Sequence, residues 1–387
     1  MKHYHYIFTG SGLSALMTVY KMALSEQFSD KSILLIDKDI KKTNDRTWCF
    51  WETKSKNWEK IIHKKWDSAI FANEDFRRNL DLSPFRYNTI RGLDFYNLIF
   101  EVLSKHKNIT FVQQNVIDFQ ETKGIISVNT ETETYSCSKL FNSIIRLDEV
   151  ENQTKYPLIK QHFIGWFIKA ETPIFDSKTA TFMDFSVNQK GNTRFMYVLP
   201  TSETEALIEY TLFSHRHLDK SEYEEEIQKY IQKLGVIKFE IVEKEQGSIP
   251  MTCFPFWKKN TKNILNIGSI GGWTKASTGY TFKNADKKSG KLIQFLSNES
   301  DFRKFHSKNK FWYYDLLLLN ILDRNNELGS IIFSALFKKG NPALVLKFLD
   351  EETSLFEDIQ VIMKCPKRLF IKALFRVLFS IKNNKKL

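Results

Sequence analysis

The sequence contains few cysteines and no long apolar run. Its cysteines are scattered over 387 residues and form no CxxC pair, at positions Cys49, Cys137, Cys253 and Cys365. This spacing predicts reduced thiols and no disulfide framework. No segment reaches the roughly 18 uninterrupted apolar residues that would span a bilayer. The first residues also lack the charged lead and apolar core of a signal peptide, so we expect a cytoplasmic protein.

Motifs of several large classes of protein are missing as well. The sequence has neither a GxSxG turn nor a Walker loop, which excludes the hydrolases and phosphotransferases that depend on them. His215 and His217 have the spacing of a strand pair, but no third or fourth ligand stands nearby, so no metal site is predicted. No zinc spacing or RNA-binding signature occurs, and we expect no nucleic-acid partner. Nothing in the sequence indicates an oligomeric state.

Aromatic residues and positive charge are abundant. The chain has 33 Phe, 14 Tyr and 8 Trp, and its formal net charge is +12. The aromatic excess indicates a pocket or surface lined for a large apolar ligand. A basic surface suits nucleic acid, anionic lipid or a phosphate-bearing cofactor equally well. A non-catalytic basic nucleotide- or nucleic-acid-binding module is therefore an alternative, with the charge alone in its favour.

A glycine-rich turn follows the first predicted strand. Residues 4–9 and 32–36 have the pattern of buried strands, with helical spacing between them, which predicts a βαβ unit. The turn matches the GxGxxG/A pattern in residues Gly10, Ser11, Gly12, Leu13, Ser14 and Ala15. Such glycines let a pyrophosphate approach the helix N-terminus. Asp37, followed by Lys38, ends the second strand and can accept hydrogen bonds from an adenosine ribose, so a dinucleotide site is predicted without separating FAD from NAD.

The order of the elements predicts an α/β protein with three parts. We expect a Rossmann-like domain with a parallel sheet in residues 1–156, completed by residues 247–299. Longer alternating stretches predict a mainly antiparallel β-sheet substrate domain in residues 157–246. Residues 300–387 are rich in Leu and Phe at helical spacing and predict a helical C-terminal region that faces lipid.

Eight short blocks, spread over the first three quarters of the chain, form a specific series. They are DRTWCFW (45–51), YNTIRGLDFY (87–96), QHFIGW (161–166), FMDF (182–185), RFMYVLP (194–200), LIEYT (207–211), GSIPM (247–251) and GSIGGWTKASTGY (268–280). In content and order, these blocks resemble the bacterial lycopene β-cyclases, a family of flavoprotein carotenoid cyclases. The C-terminal quarter carries no such signature.

The resemblance implies a cofactor, a substrate and a site. The cofactor would be noncovalent FAD in its reduced form, supplied with electrons by NAD(P)H or another donor, in a reaction with no net redox change. A second cofactor loop would contain Gly268, Gly271, Gly272, Thr278 and Gly279. Arg46 and Arg91 are candidate cofactor contacts, with a surface ion pair as the equally common alternative for an arginine near a turn. Related flavoproteins often have Asp after the first glycine of this loop, whereas this chain has Ser269.

Glu209 is the candidate acid. Cyclisation of a linear carotene such as lycopene has to begin with protonation of a terminal double bond, which requires a protonated acid. Glu209 lies in an apolar predicted strand, where desolvation would raise its pKa. A glutamate on the wet side of an edge strand is the alternative that the pattern alone leaves open. Candidate pocket residues that could orient the acid or stabilise a cation are Asp184, Phe195, Tyr197, Tyr210 and Trp257.

The C-terminal tail has the composition of a membrane-surface helix. Residues 364–387 contain eight Lys or Arg and no acidic residue, and Leu369, Ile371, Leu374, Phe375, Leu378 and Phe379 alternate with basic residues. This pattern predicts peripheral binding to anionic lipid on the inner face of the cytoplasmic membrane. Two internal apolar stripes, at residues 312–319 and 331–337, are expected to pack on the protein instead.

The alternative enzyme to a carotenoid cyclase is a related flavin-dependent monooxygenase or prenyl-chain reductase.

Overall fold

The computed structural model describes residues 1–53, 57–145 and 147–383. Its strands in these ranges are β1 (Lys2–Thr9), β2 (Ile33–Asp37), β3 (Thr47–Glu52), β4 (Ile62–Trp66), β5 (Ser68–Ala72), β6 (Arg77–Asp81), β7 (Arg86–Arg91), β8 (Ile109–Gln113), β9 (Val116–Thr122), β10 (Ile125–Thr130), β11 (Thr134–Asn142), β12 (Ile159–Ala170), β13 (Thr179–Asp184), β14 (Thr193–Pro200), β15 (Glu205–Ser214), β16 (Phe239–Met251) and β17 (Ile264–Asn266).

The α-helices are found between the strands and in the C-terminal region. They are α1 (Leu13–Ala23), α2 (Gly92–Leu103), α3 (Asp148–Glu151), α4 (Lys220–Lys233), α5 (Phe282–Asn298), α6 (Lys310–Arg324), α7 (Gly329–Lys339), α8 (Pro342–Leu349), α9 (Leu355–Ile362) and α10 (Lys367–Asn383). The predicted helical C-terminal region is confirmed.

The first sheet carries the predicted βαβ unit. Its order is β8-β2-β1-β11-β10-β9, and β17 also pairs with β11. The strands β8, β2, β1, β11 and β17 are mutually parallel, which confirms the prediction. Helices α1, α2 and α5 cover one face through a core that includes Leu16, Phe95, Phe141 and Phe282. This packing holds the turn after β1 at the carboxyl ends of the parallel strands, where open α/β sheets bind ligands.

The second sheet is mainly antiparallel and has two buried faces. Its order is β16-β12-β15-β14-β13-β5-β6. One face packs on α4 through side chains such as Tyr210 and Ile227. The other face packs partly on α6, α7 and α8 through side chains such as Phe195, Leu319 and Phe333. Because successive strand residues point to opposite faces, each side chain of this sheet is assigned to one of these two surroundings.

The second sheet takes residues from outside the range predicted for the substrate domain. Strands β5 and β6 fall within residues 1–156, but β5 pairs in parallel with β13 and antiparallel with β6. Strand β16 also continues to Met251, beyond residue 246. The added strands cover the edge of β13, which would otherwise leave a row of unpaired backbone groups. A third sheet, ordered β3-β7-β4, is antiparallel.

The C-terminal helices are partly buried and partly exposed. The two internal apolar stripes contribute buried residues such as Leu316, Leu319, Ile332 and Phe333, which confirms that they pack on the protein. Leu369 of α10 also packs inward, near Ile321 and Ile332. No helix in the described part of the chain is long and apolar enough to cross a membrane. The last four residues of the basic tail lie outside the described residues.

Candidate functional site

A cleft connects the two larger sheets. Its volume is about 740 Å³. At one end it is lined by the turn after β1 and the carboxyl end of β2, and at the other by β12, β14, β15 and β16 of the second sheet. The cleft therefore joins the glycine-rich turn to the strand that carries Glu209.

The glycine-rich turn leaves the N-terminus of α1 open to the cleft. Gly10 has a φ of 89°, and a Cβ there would collide with the hydroxyl of Ser143. Gly12 is the N-cap residue and makes no side-chain cap, and a Cβ there would meet no atom within 4 Å. Gly10, Gly12, Leu13 and Ser14 line the cleft. This end of the cleft can hold a phosphate against free N–H groups and the positive end of the helix dipole.

Asp37 braces the turn from the end of β2. Its Oδ2 accepts hydrogen bonds from the backbone N–H of Ser11, at 2.5 Å, and from the hydroxyl of Ser11, at 2.9 Å. Ser11 is fully buried beneath the turn, as is Ala15 in the first turn of α1. Asp37 and Lys38 both line the cleft, together with Lys41. Two cations and a carboxylate at this position suit a phosphate and a ribose.

The second glycine-rich loop borders the cleft with only part of its length. Gly268, Ser269, Thr278 and Gly279 line the cleft. Gly271 and Gly272 lie behind the lining: a Cβ on Gly271 would collide with the carbonyl of Asn266, and Gly272 has a φ of 65° at the end of a short turn of helix. These two glycines shape the loop rather than face the cleft.

Two polar atoms in the cleft wall have no partner within the described structure. The side-chain Oε1 of Gln161 and the hydroxyl of Thr278 are buried without a hydrogen bond. A Cβ on Gly279 would collide with the same Gln161 oxygen. Buried polar groups are nearly always hydrogen-bonded, and exceptions require an explanation. A bound cofactor with polar groups at this level would satisfy both atoms, so the cleft fits the predicted dinucleotide.

Two glutamates face each other in the wall of the cleft. In the second sheet, Tyr197, Glu209, Gly165 and Glu245 occupy neighbouring strands as directly paired residues. A Cβ on Gly165 would lie 3.4 Å from Cβ of Glu209 and 3.3 Å from Cγ of Glu245. Because Gly165 has no side chain, the two carboxyl groups meet over its backbone. Both glutamates line the cleft.

Glu209 is held in a desolvated position. Burial, and after it the neighbouring Glu245, raise its pKa to about 8, although the hydrogen bond that the hydroxyl of Thr211 donates to Oε1 has the opposite effect. A carboxyl group with such a pKa is mostly protonated at neutral pH. The site therefore contains a proton donor directed into an aromatic-lined space.

Glu245 has more polar surroundings. Burial raises its pKa, while the hydroxyl of Thr47, which donates to Oε2 at 2.6 Å, and the charge of Arg91 oppose that rise. Arg91 donates to Thr47 Oγ1 at 3.1 Å, pairs with Glu243 at 2.6 Å and lies over the ring of Phe167. Arg91 thus lies outside the cleft lining and reaches the cleft only through Thr47. Arg46, by contrast, lines the cleft.

Aromatic hydroxyl groups surround the acid on its other side. Tyr280 lies 3.4 Å from Tyr87 and 3.3 Å from Tyr197, measured between hydroxyl oxygens. Burial raises the pKa of Tyr280 to about 12, so this phenol stays neutral. Cys49 also lines this region, and burial raises the pKa of its thiol to about 12. This end of the cleft is therefore aromatic, neutral and suited to an apolar ligand.

Most of the predicted pocket residues lie away from the cleft. Tyr197 lines it. Tyr210 points to the α4 side of the sheet, because it follows Glu209 directly in the strand, and it accepts a hydrogen bond from Arg194 there. Asp184 accepts a hydrogen bond from Tyr230 at 2.7 Å. Phe195 is buried between the sheet and the C-terminal helices, and Trp257 stacks on His306.

Several residues of the site were not singled out in the sequence. Glu245, Gly165, Thr47, Gln161 and Tyr280 all belong to blocks of the resemblance or lie beside one, yet none has a chemical signature of its own. The pairing of β12 with β16 brings Gln161, Gly165 and Glu245 together, whereas Thr47 comes from β3 of the third sheet and Tyr280 from the segment before α5. His217 donates to or accepts from Ser248 at 2.8 Å, and no group of metal ligands was found among the described residues.

The fold is that of flavoproteins with a Rossmann-type domain. A geranylgeranyl bacteriochlorophyll reductase-like protein from Thermoplasma acidophilum matches 97% of this chain and 100% of its own, with a TM-score of 0.61 and 12% identity. A flavoprotein/dehydrogenase from Cytophaga hutchinsonii matches 97% of this chain and 99% of its own, with a TM-score of 0.62 and 11% identity. A flavin-dependent brominase matches 99% of this chain and 100% of its own, with a TM-score of 0.57 and 11% identity.

The family is established by sequence. A family model described as "Lycopene cyclase protein" matches residues 6–376, nearly the whole chain. The chain belongs to the lycopene cyclase family. A search of curated proteins gave no match. Family and fold together support a carotenoid cyclase or a flavin-dependent enzyme.

Proposed function

We propose that this chain is a lycopene β-cyclase, which converts the ψ ends of lycopene into the β-ionone rings of γ-carotene and β-carotene. The observation that carries the proposal is Glu209, a cleft carboxyl group whose pKa is raised to about 8. A hydrocarbon offers no polar group to activate, so ring closure has to start from an acid that still holds its proton at the working pH. Glu209 meets this requirement near neutral pH.

The reaction conserves atoms and electrons. Glu209 gives its proton to the terminal double bond, which leaves a tertiary carbocation. The electron pair of an inner double bond then closes the ring, and loss of a proton from a ring carbon restores a double bond. One proton enters and one leaves, so the product is an isomer of the substrate and the enzyme is of the intramolecular lyase or isomerase type.

Charge and aromatic rings in the cleft favour the cation. Once its proton has left, Glu209 is a carboxylate beside the positive charge that it created, and this attraction appears only as the transition state forms. The rings of Tyr87, Tyr197 and Tyr280 line the same region and can add cation-π stabilisation.

The other half of the cleft suits FAD. The N-terminus of α1 with Gly10 and Gly12 would hold the pyrophosphate, and Asp37 would bind the ribose. Gln161 and Thr278 would hydrogen-bond to polar atoms in the flavin part of the cofactor. Bound in reduced form, with NAD(P)H or another donor supplying the electrons, the flavin would place negative charge close to the developing cation.

Expression in cells that accumulate lycopene tests the proposal. The unchanged chain should convert lycopene to ring-ended carotenes, identified by pigment chromatography. Glu209→Gln should lower the yield by about 100-fold or more, the usual contribution of a positioned acid. Glu205→Gln is the matched control, because Glu205 lies on the same strand and pairs with Lys169 away from the cleft. Near-normal activity of Glu209→Gln would contradict the assignment.

The rival enzymes differ in their use of electrons. A monooxygenase or a prenyl-chain reductase consumes reductant in proportion to product, whereas a cyclase needs it only to keep the flavin reduced. In an anaerobic assay, the reductant consumed should therefore fall far short of the rings formed. Reductant consumed in proportion to product would favour the reductase, and product that forms only when O2 is supplied would favour the monooxygenase.

We also propose that the C-terminal helices hold the enzyme on a membrane, where carotenes dissolve. Helix α10 exposes Ile371, Leu374, Phe375, Leu378 and Phe379. Helix α9, just before it, exposes Leu355, Phe356 and Ile359, which the sequence pattern did not single out. Exposed apolar side chains next to Arg368, Lys372 and Arg376 suit the anionic inner face of the cytoplasmic membrane.

A further inference from the structure

We infer that Glu245 is a positioning residue for the acid: its carboxyl group shares a single proton with Glu209 across the gap left by Gly165. The inference rests on the proposed function, because it gives Glu245 a role through the acid of that reaction. It goes beyond the single carboxyl group that the sequence singled out.

The geometry requires a proton between the two groups. Glu209 and Glu245 both pair with Gly165, one from each neighbouring strand, and both side chains border the space above its backbone. The carboxyl group of Glu245 is within hydrogen-bonding reach of that of Glu209. Two carboxylates are acceptors only and cannot hydrogen-bond to each other. One of them has to be protonated for the contact to be favourable, as in other sites where two carboxyl groups share one proton.

The groups around the pair decide which carboxyl group holds the proton. Glu245 faces cations and a donor: Thr47 donates to it, and the charges of Arg91 and Arg46 favour its ionised form, although Glu243 opposes them. These groups come from β3, the turn before it, β7 and β16 itself.

The groups that face Glu209 are neutral. They are the donor Thr211 on its own strand, Tyr197 on β14, Tyr280 after the second glycine-rich loop, and Cys49 on β3. Among the residues that the structure describes, no cation is a cause of the pKa shift of Glu209. The proton therefore resides on Glu209, and the negative charge of the pair resides on Glu245.

This division of charge gives Glu245 two effects on the reaction. Its negative charge keeps Glu209 protonated at neutral pH, and its fixed hydrogen bond from Thr47 orients the pair before substrate arrives. Replacement of Glu245 by Gln removes the charge and supplies an N–H that stabilises ionised Glu209. Both changes lower the pKa of Glu209.

The pH profile of ring formation measures this effect. For Glu245→Gln, the pH at which kcat falls to half on the alkaline side should move down by about one unit or more, the size expected for a close charge. Glu245→Asp keeps the charge and should stay nearer the wild-type profile. A role in packing alone predicts the opposite order, because Gln matches Glu in shape better than Asp does. Glu240→Gln, on an exposed position of β16, is the control.

A second readout does not depend on turnover. Infrared spectra of protein labelled with ¹³C-glutamate should show a protonated carboxyl band in the wild type at neutral pH. The band should disappear in Glu209→Gln and titrate at lower pH in Glu245→Gln. Circular dichroism establishes that each variant is folded.

The outcomes separate the two proposals. If the wild-type chain forms no rings, the proposed function fails, and the infrared titration still tests the shared proton. If the wild type forms rings but Glu245→Gln keeps both the wild-type pH profile and the wild-type band, the shared proton is overturned. Failure of Glu245→Gln to fold leaves Glu245→Asp and the wild-type titration, where a carboxyl band that disappears at the ordinary pKa of Glu would overturn it.

Discussion

Glu209 links the chemistry of the cleft to the stability of the protein. Its pKa is about 8 in the folded chain against an ordinary value of 4.5. A carboxyl group with a raised pKa binds more protons folded than unfolded, so its contribution to the free energy of unfolding falls as pH rises from about 4.5 to about 8 and is constant above that. The group thus lowers stability at the neutral pH at which the proposed reaction needs it protonated.

Glu209→Gln should therefore gain stability while it loses activity. Gln does not ionise, and each unit of pKa shift corresponds to about 1.4 kcal/mol. The variant should exceed the wild type in free energy of unfolding by an amount that grows between pH 5 and pH 8. Urea unfolding at several pH values measures this, with Glu205→Gln as the control. A difference independent of pH would show that Glu209 is ionised in the folded protein.

At the scale of single elements, Gly165 is the residue on which the acid pair depends. Its Cβ would lie 2.8 Å from Cδ1 of Leu207 and would enter the gap between the two glutamates. We expect Gly165→Ala to cost about 1–3 kcal/mol of stability, as overpacking does, and to lower the rate of ring formation.

A matched control lies in α5. At Gly290, in the interior of that helix, a Cβ would meet only Lys21 Nζ, at 3.4 Å, so Gly290→Ala should be neutral or stabilising. Thermal unfolding and pigment yields for both variants make the comparison. Full activity of Gly165→Ala would contradict the close contact of the two carboxyl groups.

The strands also explain what the sequence could and could not predict. The βαβ unit could be predicted from the sequence, because apolar runs flank Gly10. The candidate acid in β15 depended on the resemblance of the block LIEYT, because the apolar pattern around Glu209 alone leaves a glutamate on the wet side of a strand open. Tyr210 could have been assigned to the opposite face from the two-residue period of the same strand. Glu245 could not be found this way: β16 carries Glu240, Glu243, Lys244, Glu245 and Gln246 in close succession, and only its pairing with β12 selects one of them.

For the whole molecule, the exposed apolar side chains of α9 and α10 are the feature that the fold itself does not explain. Phe356 is 72% exposed and Phe375 is 55% exposed. Burial of a Phe side chain is worth about 1.5–3 kcal/mol, and about 1.4 kcal/mol corresponds to a tenfold change in binding. Exposed to water, these side chains favour association with an apolar phase.

Binding to lipid vesicles tests this feature. The full chain should sediment with vesicles that contain anionic lipid, less so at high salt, because the basic side chains of α10 contribute attraction that salt screens. The double variant Phe356→Ser with Phe375→Ser should bind at least about tenfold more weakly, since it loses two apolar side chains. Ile237→Ser is the control, because Ile237 is 92% exposed in the turn after α4. Equal sedimentation of all three proteins would exclude α9 and α10 as the membrane contact, and the route by which a carotene reaches Glu209 would then have to begin at another surface.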